Sequence, residues 1–302
     1  MKTPAFHEGE RAMQASVGVA ERMAQIGDHV LRDHMPDEHR DFFPLLPFVV
    51  IGSLDDDGAP AASVLAAPAG FVTSPNDRTL HVATLPSAGD PLAEALRPGA
   101  SIGILGIQPH TRRRNRANGV VTDVSKSGFT VAVRQSFGNC PKYIWPREAS
   151  FSPRKPSGNT RVTSGLDAEM AALIARADTL FLASSHVEAN TATDRSHGVD
   201  VSHRGGQPGF VRVDGDTLTV PDYRGNFFFN TLGNLITNPR AGLVFTDFDT
   251  GDLLHVATTT EIVTTPAEVA EHEGAQRLLR LHVSGATWRP SAAPLRWMPI
   301  GH

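Results

Sequence analysis

The 302-residue sequence contains a single cysteine, Cys140. One thiol excludes an intramolecular disulfide and any metal site built on paired thiolates, and it fits a reducing compartment, so a cytoplasmic location is expected. No apolar run approaches the roughly 20 residues that a membrane-spanning helix needs, and no membrane partner is expected. The opening segment MKTPAFHEGERAMQ carries charges of both signs and lacks an apolar core, so no secretory signal is expected. Positive charge is not in excess: 28 basic against 32 acidic residues give a net charge of -4, and nucleic acid is not an expected partner. The run Arg112-Arg113-Arg114-Asn115-Arg116 is a local exception. It is short and has no interleaved aromatics, so it reads better as a strand at a pocket rim that attracts an anionic substrate or cofactor. The 13 histidines show no His-Glu-x-x-His or comparable ligand spacing, and no metal site is expected.

What is present points to a folded, strand-rich chain. Hydrophobic residues make up 40% and charged residues 20%, the balance of a globular protein, and the length suits one large domain or two ordinary ones. Between His7 and His34 the residues Met13, Val17, Ala20, Met23, Ala24, Ile26 and Val30 recur at helical spacing, which predicts one amphipathic helix closed by Pro36. The apolar stretch Leu45–Leu54 runs into the turn signal Asp55-Asp56-Asp57-Gly58 and opens a series of strands, at Ala61–Ala66, Thr79–Ala83, Ser101–Ile107, Gly119–Val124 and Gly128–Arg134. Residues 149–165 are poor in apolar side chains and rich in Pro, Ser, Gly and Arg, as a linker is. Beyond them a helix is expected at Asp167–Ala177 and strands at Thr179–Ser184, Val211–Val213, Thr217–Val220, Leu243–Phe248 and Asp252–Ala257. A short helix, Phe227–Ile236, should end before Asn238-Pro239. The expected division is a helical segment at 1–44, a first β half at 45–148, the linker at 149–165 and a second β half at 166–302. A weak internal repeat supports it: Gly70-Phe71-Val72 and Thr79-Leu80-His81-Val82 resemble Gly209-Phe210-Val211 and Thr217-Leu218-Thr219-Val220.

The chemistry concentrates in two clusters of the second half, Ser202-His203-Arg204-Gly205-Gly206-Gln207-Pro208-Gly209 and Asp222-Tyr223-Arg224-Gly225-Asn226. Glycines let backbone N–H groups approach an anion, arginine adds charge and a planar donor fork, and the helix expected just downstream turns its positive end toward the same place. Solvated arginines on glycine-rich turns are the plainer reading of either cluster alone.

The order Ser-His-Arg-Gly-Gly-x-Pro-Gly-Phe, a hairpin, Pro-Asp-Tyr-Arg-Gly-Asn, then Leu-Gly-Asn-Leu and Asn-Pro-Arg-x-Gly-Leu resembles the FMN-binding split β-barrel of the pyridoxamine 5'-phosphate oxidase-like superfamily, over roughly Asp200 to Asp252. The resemblance implies a mainly β (α+β) fold of two tandem barrel-like halves behind the N-terminal helix, with the first half degenerate in its cofactor motifs. It implies a homodimer with FMN in a groove between protomers, or a pseudo-dimer made within one chain. It also implies cofactor contacts from Ser202, Arg204, Gly205, Gly206, Pro208, Asp222, Arg224, Gly225, Asn226, Asn230 and Asn234. Gln135 to Ile144 resembles an Asn-Cys-Pro-Lys-Tyr box of longer members, which would bring Cys140 and Lys142 to the pocket. His7-Glu8-Gly9-Glu10 with Gln14 resembles another feature of those members, although a solvated helix start explains it as well. Two departures stand out: Phe229-Asn230-Thr231 replaces the Ser-Arg-Lys of true pyridoxamine phosphate oxidases, and their Arg-Leu-x-Pro ending is missing. The implied activity is therefore an FMN-dependent oxidoreduction of some other small organic molecule, with no catalytic side chain assignable. The rivals are flavin binding or sequestration without turnover, and a deazaflavin or haem in the same fold.

Overall fold

The segment FVVIGSL at Phe48–Leu54 is hydrophobic at five of its seven positions, so a strand made from it must be covered on both faces; all seven residues are buried. This strand, β1, lies inside a seven-stranded antiparallel sheet in the computed structural model, which describes residues 4–154, 158–191 and 193–300. Its companions are β2 (Pro60–Ala66), β3 (Val72–Asn76), β4 (Thr79–Val82), β5 (Ser101–Gln108), β6 (Arg113–Ser125) and β7 (Gly128–Gly138), in the spatial order β2-β1-β5-β6-β7-β4-β3. Two short strands, β8 (Arg147–Phe151) and β9 (Arg161–Thr163), lead to the second half. There β10 (Thr179–Ser185), β11 (Val199–Gly205), β12 (Arg212–Asp214), β13 (Thr217–Tyr223), β14 (Arg240–Thr246), β15 (Leu253–Val263) and β16 (Ala275–Arg289) repeat the order as β11-β10-β14-β15-β16-β13-β12. The final strand, β17 (Leu295–Pro299), pairs with β8.

The chain is thus mainly β, with two tandem halves of one topology behind an N-terminal helical segment. That segment holds α1 (Glu8–Ser16), α2 (Ala20–Val30) and α3 (Asp37–Arg40) rather than one helix, because Gly18 takes a left-handed conformation (φ +71°) and stops α1. Equivalent short helices, α4 (Pro91–Ala95) and α6 (Asn230–Thr237), precede β5 and β14, while α5 (Ala168–Arg176) and α7 (Pro266–Ala270) belong to the second half. The expected linker at 149–165 is partly structured: Ala149–Phe151 lie in β8, and β9 adds to the edge of β16. Residues 155–157 of it lie outside the described residues.

Each half has its own core, one around Phe42, Ile51, Leu80 and Phe129, the other around Leu182, Leu218, Phe245 and Leu279. A third core joins the halves: Phe48, Val50, Val64 and Leu105 pack with Phe181, Ala183, Val201 and Val244. The contact is reciprocal. A Cβ on Gly103 of β5 would lie 2.6 Å from the Val199 carbonyl oxygen of β11, and one on Gly242 of β14 would lie 2.2 Å from the Pro60 carbonyl oxygen of β2. Both pairs are separated by the same repeat distance, so the halves face each other across a pseudo-twofold, as the two copies of a symmetric dimer do. The partners are backbone atoms of paired strands and cannot step aside. Gly242→Ala should therefore destabilise the protein by about 1–3 kcal/mol or more. Urea unfolding of the variant beside the parent checks this, and an unchanged midpoint would refute the close approach.

Candidate functional site

A cleft opens between the halves. One wall carries Arg114 and Arg116 of β6 and the segment Asn139–Tyr143 after β7; the other carries Ser202–Gly205 of β11, Pro221–Tyr223 of β13, and Gly225–Leu232 leading into α6. Both walls come from one chain.

Three guanidiniums, those of Arg114, Arg116 and Arg204, line the cleft, and a fourth, that of Arg277, reaches Asp222 of its wall. Arg116 is buried, and burial lowers its pKa; its ion pair with Asp200 across the halves (3.0 Å) opposes that effect and holds the charge. The same guanidinium donates to Ser202 Oγ (2.7 Å) and Asn230 Oδ1 (3.2 Å), and Ser202 Oγ meets Thr231 Oγ1 at 2.7 Å. Arg204 and Arg277 both pair with Asp222, the second at 3.2 Å. Among the described residues Arg114 pairs with no carboxylate: it donates to the carbonyl oxygens of Cys140 and Lys142 and to His203 Nδ1 (3.3 Å), and burial brings its pKa down to about 10. Burial, helped by Arg114, Arg204 and Arg147, depresses the His203 pKa well below its ordinary value, so its ring is neutral. Four guanidiniums against two carboxylates leave about two positive charges uncompensated, the complement of a phosphate monoester at about -1.5 to -2. The Nε–H groups of Arg114, Arg116 and Arg204 are buried and have no partner among the described residues, which marks spare donor capacity in the walls.

The repeat supplies an internal control. Leu105 pairs with Arg116 as Val244 pairs with His255, and Ile107 pairs with Arg114 as Thr246 pairs with Leu253. Likewise Val49 faces Leu65 where Leu180 faces Arg204. The twin positions therefore carry His255, Leu253 and Leu65 in place of three arginines. At the N-terminus of α4 the carboxylate of Asp90 accepts from Leu92 N–H (3.0 Å) and pairs with buried Arg289 (2.6 Å). The twin N-terminus, that of α6, starts from Phe229 with no side-chain cap. One helix start is filled by the protein's own anion; the other turns uncapped N–H groups into a cationic cleft.

The cleft mouth is aromatic and strained. Tyr143 and Tyr223, the chain's two tyrosines, come from opposite halves and stack with centroids 4.9 Å apart. Tyr143, Phe227 and Phe229 all sit at φ near +60°, a left-handed conformation that costs bulky residues about 1–3 kcal/mol each. Such strain persists only where the surroundings over-determine it, and here three instances border one cleft.

Of the residues expected from the sequence, Ser202, Arg204, Gly205, Asp222, Gly225, Asn226, Asn230, Cys140 and Lys142 line the cleft. Gly206, Pro208, Arg224 and Asn234 do not. Gly206 O accepts from Trp145 Nε1 (2.6 Å), Pro208 is exposed in a turn, and Asn234 is turned to Ser184 Oγ (3.1 Å). Arg224 is exposed, its guanidinium 5.5 Å from the Phe227 ring. The two glycines differ in their surroundings. Gly206 N–H bonds to Asp178 O (3.1 Å), so it frees no amide for an anion, while Gly205 pairs with Thr179 in the β10–β11 register. A Cβ at Gly205 would come within 2.2 Å of the Tyr143 carbonyl oxygen; the glycine lets the first half close on the second. The N-terminal motif is not a solvated helix start either: His7, Glu10 and Gln14 are buried, and Glu10 accepts from Asn230 Nδ2 at 2.5 Å. Burial pushes that carboxyl up to about 8 against the opposing pull of its hydrogen bonds. The sequence reading missed His203 and Tyr223 as wall residues, while the arginine run did signal Arg114 and Arg116.

No family model matches the chain, and no curated protein does either. Among solved structures the likeness is to proteins of the pyridoxamine 5'-phosphate oxidase type. A putative pyridoxamine 5'-phosphate oxidase from Lactobacillus delbrueckii is 17% identical, with 41% of this chain and 94% of that one covered at a TM-score of 0.31. An FMN-binding protein from Syntrophomonas wolfei is 12% identical (39% and 82% covered, TM-score 0.30). HutZ, the haem storage protein from Vibrio cholerae, is 13% identical (41% and 95% covered, TM-score 0.29). Among the described residues no helix is long and apolar enough to cross a membrane.

Because the Arg116–Asp200 pair is buried, removing one partner strands the other's charge. Asp200→Ala should cost about 3–5 kcal/mol of stability, whereas Arg224→Ala should stay within about 0.5 kcal/mol of the parent. Chemical denaturation of the two variants separates these outcomes.

Proposed function

We propose that the cleft binds FMN and that the protein is an FMN-dependent oxidoreductase acting on a small organic molecule. The observation that carries this reading is the pairing of an uncompensated cationic wall with an uncapped helix start, under an aromatic mouth. A ligand suited to it has a dianionic end and a flat aromatic end. The interior holds about 130 Å³, below the roughly 300–1,000 Å³ typical of ligand pockets, so a nucleotide would fill it and extend into the mouth.

In this reading Arg114, Arg204 and the first amides of α6 hold the phosphate, with Lys142 adding charge at the rim. Ser202, Asn226 and Asn230 offer hydroxyl and amide groups to the polyol chain. Tyr143, Tyr223 and Phe227 offer flat faces to the ring and keep water from it. Bound FMN would supply the redox chemistry by taking up or giving hydride, while the chain binds, orients and tunes it. Both walls belong to one chain and the twin cleft lacks its arginines, so the stoichiometry should be one FMN per chain, with no second copy required.

Titration of the purified protein with FMN, followed by flavin fluorescence and absorption, tests the reading. Arg114→Ala removes the guanidinium that no carboxylate among the described residues shares, and should weaken binding about 10- to 100-fold. Arg224→Ala should leave affinity within about threefold. Equal affinity in the parent and a folded Arg114→Ala variant would sink the assignment, as would an absorption spectrum of haem or deazaflavin in the isolated protein. Anaerobic bleaching of bound flavin by a nicotinamide donor, with recovery on adding an acceptor, separates an oxidoreductase from a protein that only stores flavin.

A further inference from the structure

Outside the cleft, three histidines far apart in sequence meet at one place. His7 caps α1, His186 follows β10, and His197 precedes β11; Glu8 and Glu188 stand among them. The His186 and His197 rings stack 3.8 Å apart, and His7 approaches His186 edge-on at 5.0 Å. Ligand atoms of His7, Glu8 and His186 lie within 4.8 Å of one another, and so do those of His186, Glu188 and His197.

We propose that His7, Glu8, His186 and His197 bind one divalent transition-metal ion of the zinc class, with Glu188 orienting His197. Several hydrogen bonds fix which atoms are offered. His197 Nδ1 faces Glu188 Oε2 at 3.1 Å, which leaves Nε2 turned to Glu8 Oε2 (3.8 Å), the carboxylate–histidine arrangement found behind metal ligands. His186 Nε2 lies 2.8 Å from Glu8 Oε1. His7 Nε2 is buried in a residue only 3% exposed and has no hydrogen-bond partner among the described residues. Three imidazoles and a carboxylate are the borderline N/O donors that zinc favours, at about 2.0–2.2 Å each. Binding one ion needs the stacked His186 and His197 rings, 14° from parallel, to turn apart.

The metal-free tautomers oppose binding, but weakly. Nδ1 of His7 accepts from Gly9 N–H (3.2 Å) and Nδ1 of His186 from Glu188 N–H (3.1 Å), so in both rings the proton sits on Nε2. Metal entry at Nε2 shifts each of those protons to Nδ1 of the same ring and gives up two amide-to-imidazole hydrogen bonds, a small loss beside the free energy of metal–imidazole bonds. The bound ion would tie the start of α1 to the loop before β11. Since α1 crosses α6 with a Cβ on Gly9 only 2.2 Å from the Gly233 carbonyl oxygen, the tie would also brace the helix under the cleft. The metal site does not depend on which cofactor the cleft takes.

Chelator-treated full-length protein is titrated with Zn²⁺ by calorimetry, and metal content is measured after gel filtration. Uptake of one equivalent with a dissociation constant below about 1 μM is expected, together with a rise in Tm from binding to the folded state alone. His186→Ala combined with His197→Ala should abolish uptake. Glu188→Gln, which leaves the four ligands in place, should weaken it about 10- to 100-fold, and it carries the test if the double variant fails to fold. Uptake below about 0.1 equivalent by the parent at Zn²⁺ well above micromolar, or equal binding by parent and Glu188→Gln, would overturn the proposal.

Discussion

The buried ion pair between Arg116 of the first half and Asp200 of the second is the contact on which the site's geometry depends. Two charges out of water repay their desolvation only when geometry is good and the remaining donors and acceptors are satisfied. Around the pair the structure collects Asn118 Nδ2, Ser202 Oγ and Asn230 Oδ1, which leaves the Arg116 Nε–H without a partner among the described residues. Each of those groups is thereby fixed in direction. A polar network of this kind sets the register of one half against the other, where the apolar core between them would tolerate small slides. The arginine that lines the cleft is thus the same one that holds the cleft's walls together.

From that network the constraint passes to α6. Asn230 links Arg116 to Glu10 of α1, and Thr231 meets Ser202. The first turn of α6 is therefore held from three sides, so Phe227 and Phe229 can be kept in left-handed backbone that neither would choose alone. The strain places aromatic rings at the mouth and keeps the helix start free of a capping side chain. Glycine makes the close approach possible at Gly9, Gly205 and Gly233, in each case because another chain segment occupies the space of a Cβ.

Much of the fold was legible in the sequence, because apolar strands bounded by Gly, Asp and Asn turns carry their own punctuation. Strand β16 was not: RLLRLHVSGATWR interrupts its apolar pattern with arginines, and only the structure shows Arg277 and Arg289 buried against Asp222 and Asp90. The helix over His7 to His34 was misjudged in continuity because helical periodicity continues across Gly18, and periodicity does not register a backbone reversal. At the site, residue types were legible while partners were not. Arg204 and Arg224 look alike in sequence, yet a buried Asp222 holds one in the cleft while the other is exposed beside the Phe227 ring. The three clustered histidines are hidden for the same reason, since local spacing cannot reveal that His7 meets His186 from the far end of the chain.

The two halves share topology and reciprocal glycine contacts, yet only one side of the pseudo-twofold keeps its arginines. In a symmetric dimer every substitution appears in both clefts, so neither can be closed without losing the other. Joining the halves in one chain removes that coupling. Leu65 and Leu253 can then extend the apolar core, and Asp90 with Arg289 can fill the twin helix start, while Arg114, Arg116 and Arg204 stay in the open cleft at a cost in buried charge. The closed side offsets that cost with well-packed apolar surface and a capped helix. Stability and binding capacity are thereby assigned to opposite sides of one interface.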